Sequence, residues 1–165
     1  MKTARASAAV ARAAAVIALV LLLHPFAEAA SRRIDMLPPT TITGAGTVTG
    51  TSFTVQAGVS YISAQATFTY GSGGTTCKAW LQTSLDGGTT WRDVASFAFT
   101  TASAKKTSAL SSAIALAAAQ AVSDGALADD TILNGLLGDL WRVKVTSTGT
   151  YAGGTTIAVS VVPQQ

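Results

Sequence analysis

Side chains able to do chemistry are few in this chain and widely spread. Charged residues occupy only 12% of its 165 positions. The acids that draw attention are Asp86, within SLDGGTTW (84–91), and Asp124, Asp129 and Asp130, within DGALADD (124–130). Paired carboxylates can act as acid and base in glycoside cleavage, and a calcium ion takes roughly six to eight oxygens. Adjacent aspartates in a Gly/Ala-rich loop face water instead, so Asp124, Asp129 and Asp130 read as part of a contact loop. The one histidine, His24, lies in the N-terminal apolar segment. The remainder therefore cannot assemble a Ser-His-Asp or Cys-His set or a His-based zinc site. Cys77 is the single cysteine, which excludes an intramolecular disulfide. It alternates with Ala79 and Leu81 and reads as a small buried hydrophobe. Neither a phosphate-binding Gly-Lys-Ser/Thr loop nor a dinucleotide Gly-x-Gly-x-x-Gly turn is present. These absences predict a protein that is not an enzyme and has no metal and no cofactor.

Ser84, Asp86, Gly88, Thr90 and Trp91 form the pattern Ser-x-Asp-x-Gly-x-Thr-Trp. The glycines permit positive φ, the Asp86 carboxylate can accept turn N–H groups, and Trp91 can lie over the hairpin. All three roles are structural. The spacing resembles the Asp-box of sialidases and other β-propellers, which implies a turn staple away from any active site. A propeller needs several four-stranded blades. One box without tandem repeats excludes a sialidase-type catalytic domain. Tyr61 and Trp80 lie opposite the apolar faces of their strands and are the candidate ligand aromatics. A two-sheet sandwich can also cover such a tryptophan.

Charge narrows the partners. From Met36 onward there are six bases (Lys78, Arg92, Lys105, Lys106, Arg142, Lys144) and six acids (Asp86, Asp93, Asp124, Asp129, Asp130, Asp139). A neutral domain lacks the clustered phosphate contacts of a nucleic-acid binder. Residues 1–30 have a basic start, an apolar stretch and a small-x-small site at Ala27-Glu28-Ala29, the parts of a secretory signal peptide. The apolar run is short for a membrane span, so none is expected unless the leader stays uncleaved. Cleavage near Ala29 or Ala30 predicts an exported product. Initiation at Met36 predicts a cytoplasmic one.

The elements that must position these residues are strands. Residues 31–39 read as a linker and 40–165 as one domain. Tyr61–Tyr70, Cys77–Ser84, Trp91–Thr100, Leu140–Thr146 and Thr156–Val162 alternate apolar and polar residues, and Asp86-Gly87 marks a hairpin. Residues 108–139 read as a long excursion, partly helical or irregular, because Ser108–Val122 is Ala-rich while its apolar residues form no narrow stripe. The expectation is an all-β antiparallel sandwich or jelly roll.

The segments AWLQTSLDGGTTWRDVASFAFTTASAKK (79–106), DGALADDT (124–131) and GLLGDLWRVKVTSTGTYAGGTTIAVSVVP (135–163) together resemble small virion proteins of tailed phages and prophages. The resemblance covers half to three-quarters of the chain. It implies a structural, non-enzymatic component of head or tail, found in the virion, with other virion proteins and copies of itself as partners. A glycan-binding or adhesion module is the alternative, supported by the leader.

Overall fold

The computed structural model describes residues 32–55 and 58–165, so the leader read over 1–30 lies outside the described residues. The strands in chain order are β1 (Ile34–Thr41), β2 (Gly46–Thr49), β3 (Phe53–Thr54), β4 (Tyr61–Thr69), β5 (Ser72–Gly73), β6 (Thr76–Ser84), β7 (Arg92–Phe99), β8 (Ala104–Ser111), β9 (Leu140–Thr148), β10 (Tyr151–Ala152) and β11 (Thr156–Gln164). One sheet runs β1-β11-β4-β8; the other runs β2-β9-β6-β7, with β3 also against β9. Every pairing is antiparallel. The short β5 and β10 pair with each other. No described residue is helical.

The two main sheets pack face to face, as a sandwich. Alternation decides what lies between them. Ile62, Ala64, Ala66 and Phe68 of β4 and Ile157, Val159 and Val161 of β11 are buried, as are Cys77, Ala79 and Leu81 of β6 and Trp141, Val143 and Val145 of β9. Phe68 and Phe99 stack across the sandwich with ring centroids 5.2 Å apart, a geometry that adds to simple burial.

Two features differ from the sequence reading. Residues 34–39, read as linker, belong to β1, and Met36 is 1% exposed in the core. Pro38-Pro39 masked the strand. Proline is disfavoured within central strands but tolerated at strand ends, on edges and at bulges. Here β1 is the sheet's edge, with an irregularity between Leu37 and Thr40. The second correction concerns 108–139. Residues up to Ser111 complete β8, and 112–139 are irregular, one of the two forms expected, with no helix. The chain is held by backbone bonds at Ser112 and Ser123, which leaves too short a run for a helix without an apolar stripe to dock.

Candidate functional site

The excursion lies on the outer face of the sheet containing β6, β7 and β9, and the groups with chemical potential meet beneath it. A β-bulge creates this site. Leu81 pairs with Ala95, but Gln82 pairs with Asp93, so Val94 is an extra residue in β7. A bulge re-aims the side chains beyond it. Asp93 thereby joins Trp80, Gln82 and Ser96 on the outer face instead of entering the core.

Asp93 is fully buried. Its Oδ1 accepts from Gln82 Nε2 at 2.7 Å and Gly125 N at 3.0 Å. Its Oδ2 accepts from the backbone N–H groups of Gly125, Ala126 and Leu127 at 2.9, 2.9 and 3.1 Å. Three successive amides thus converge on one carboxylate, an anion nest built from the protein's own loop. Gln82 extends the network. Its Nε2 donates to Asp124 Oδ1 at 2.9 Å, and its Oε1 accepts from Arg142 Nε at 2.7 Å. Arg142 and Lys144 reach Asp124 Oδ1 at 3.0 and 3.1 Å. The Gln82 hydrogen bond is the main reason that the Asp124 carboxyl sits below its usual range. Partial burial opposes it, and Lys144 and Arg142 assist.

The contact-loop aspartates are therefore anchors of the excursion. Asp129 pairs with Lys78 at 2.6 Å. Asp130 pairs with Lys106 at 2.6 Å and accepts the Ala98 N–H at 3.1 Å. Partial burial pushes the Asp130 carboxyl up, but Lys106 and the Ala98 N–H outweigh it and lower the value overall. Further along, Ile132 bridges Ala95, Ser96 N donates to Thr131 O, and Leu133 N donates to Val94 O, so the excursion also covers the open edge of β7. Covering an edge in this way removes a template for unwanted strand pairing.

Trp80 requires a correction. It is only 5% exposed, and its indole N–H donates to Leu127 O at 3.0 Å. The excursion, not the second sheet, covers it, so Trp80 is unavailable as a ligand aromatic. Tyr61 is 46% exposed on β4, on the far side of the sandwich, so the two aromatics form no joint platform.

At the β6–β7 hairpin, Ser84 Oγ donates to Asp86 Oδ1 at 2.8 Å and accepts Gly88 N at 2.9 Å. Asp86 Oδ1 also accepts Thr90 N at 2.8 Å, while Oδ2 accepts Thr90 Oγ1 at 2.7 Å. The Thr90 backbone bond leads in lowering the Asp86 carboxyl below its ordinary value. Gly87 and Gly88 take φ of 67° and 90°, and the Trp91 ring lies under the Arg142 guanidinium at 4.2 Å. The carboxylate is spent on its own turn. Cys77 is enclosed in the core, and burial pushes its thiol up to about 12. A cleft of about 220 Å³ lies by Val55, Ile62, Leu137 and Trp141, with Asp139 beside it, and lacks the several convergent polar groups that orient a ligand. Among the described residues, no group of three or more His, Cys, Asp or Glu is placed to hold a metal ion.

Sequence reasoning missed Asp93 and Gln82. The available signal was an acid inside an otherwise apolar strand, WRDVASF (91–97), which needs a partner if the strand is covered. The chain matches no protein family, no curated protein and no solved structure.

Proposed function

We propose that this protein is a non-enzymatic structural component of a tailed-phage or prophage virion, a head decoration or a head/tail accessory protein. The observation that carries the reading is the strand order. Counting only β1, β2, β4, β6, β7, β8, β9 and β11 as one to eight, one sheet reads 1-8-3-6 and the other 2-7-4-5. We read this order as a jelly roll, an architecture used by viral capsid proteins and by lectins. Fold alone does not assign function. The acids of the site are committed to holding loops, which favours a structural role over a catalytic one. The partners in this reading are copies of the chain and other virion proteins, and the product begins at Met36.

The lectin-like alternative, an exported glycan-binding module, retains exposed Tyr61 but loses buried Trp80. The two readings separate on density-gradient-purified particles from the encoding organism. A virion component co-sediments with the particles in fixed ratio to their other proteins. Its absence from them, together with binding on a glycan array, would overturn the virion reading.

A further inference from the structure

Residues 112–122, SAIALAAAQAV, are all exposed and carry no charge. Ile114 is 54% exposed and Val122 60%. The run is nonetheless fixed to the body. Ser112 N donates to Ser60 O and Asp93 N to Ser123 O at its two ends, and the Arg92 guanidinium donates to Gln120 O within it. Monomers seldom expose a contiguous apolar patch beyond a few hundred Å² without a use for it.

We propose that this run is a self-association surface on which a second copy of the chain docks the same run about a two-fold axis. The inference rests on the virion reading and sharpens it, because it moves the contact from Asp124, Asp129 and Asp130 to the run just before them, which is tied down at Ser112, Ser123 and Gln120. Three observations select a second copy as occupant. An uncharged apolar run offers nothing to match a charged partner but is complementary to itself, as an isologous interface requires. The chain from Met36 onward carries six bases and six acids and the full chain a net charge of only +3, so little net charge keeps copies apart. All eleven residues are exposed, and at roughly 50–60 Å² each they would present on the order of 600 Å² per copy, close to the roughly 800 Å² per partner of a standard interface. Two copies then reach the lower end of the roughly 1,200–2,000 Å² of a stable interface.

About a two-fold axis the runs cross antiparallel, and the central residue, Ala117, meets its own mate. Cys77 is buried, so in full-length Ala117→Cys the introduced thiol is the one a short bis-maleimide can reach in the folded protein. We expect covalent dimers from Ala117→Cys and none from Ser72→Cys, which is also exposed. In sedimentation analysis, Ile114→Asp/Val122→Asp should weaken association of the full chain at least about 100-fold, because like charges then oppose across the axis. Leu85→Asp, at a 67% exposed hairpin position, should leave it unchanged. Unaltered circular dichroism of the double variant guards against misfolding. A monomeric parent at 100 μM (about the upper working range for association assays), or association insensitive to the double variant, overturns the inference. Particle co-sedimentation tests the virion reading separately, so either can fail alone.

Discussion

Replacing Asp93 with asparagine keeps the shape of the side chain and removes an acceptor. In the native protein the two carboxylate oxygens receive Gln82 Nε2 and the N–H groups of Gly125, Ala126 and Leu127. An amide has one oxygen and one NH2, so in either orientation a donor is turned toward donors. If Gln82 flips to compensate, its Oε1 leaves Arg142 Nε, which it holds at 2.7 Å. Hydrogen bonds to charged groups contribute about 1.5–3 kcal/mol each, and a stranded buried donor costs about 1–3 kcal/mol. The terms are not additive, and the loop can retreat to let water in. We therefore expect Asp93→Asn to cost about 3 kcal/mol in urea unfolding, a large part of the roughly 5–15 kcal/mol that a domain has. Acrylamide quenching reads the same event locally, because Trp80 is covered by the loop that Asp93 holds and its indole N–H is bonded to Leu127 O. The control is Asp129→Asn, whose pair with Lys78 is partly exposed and should cost under about 1 kcal/mol. If Asp93→Asn changes stability by less than about 1 kcal/mol and leaves Trp80 shielded, Asp93 is not what fixes the excursion.

Acid should release the same segment. Asp124 and Asp130 have folded values below the usual carboxylate range, so their contribution is complete above the unfolded value near pH ~4 and fades as pH falls through the lower folded values; quenching of tryptophan fluorescence between roughly pH 5 and pH 2 should rise before global unfolding. Ser84→Ala removes the buried hydroxyl that joins Asp86 to Gly88 N and should cost about 1 kcal/mol in thermal or urea unfolding. A chain starting at Met36 forgoes the Ile34–Val161 and Asp35–Ser160 rungs, and should unfold about 1–2 kcal/mol more easily than one starting at Arg32 while keeping the same circular dichroism spectrum.

The strands were legible where apolar and polar residues alternate without interruption. Alternation marked β4, β6, β9 and β11, and the Asp86-Gly87 pair located the hairpin, because these signals are local. What was not legible depended on contacts distant in sequence. Pro38-Pro39 argues against a strand until β1 is known to lie at an edge. Ser108–Val122 carries helix propensity, yet its first residues extend β8, where pairing with β4 outweighs that propensity. Trp80 was correctly placed on the face away from the core. Its burial depends on the excursion some 45 residues later, with Leu127 O as its hydrogen-bond partner. Asp93 was hidden by the bulge at Val94, since strict alternation points it the wrong way. The three loop aspartates stood out because they cluster in sequence, but space distributes them to Arg142 and Lys144, to Lys78 and to Lys106.

The most direct measurement is the intact mass of the chain as it occurs in purified particles and in the surrounding medium of the encoding organism. The virion reading predicts a mass beginning at Met36 or Leu37, found in the particles. A mass beginning at Ala30 or Ser31, found only outside them, would contradict it.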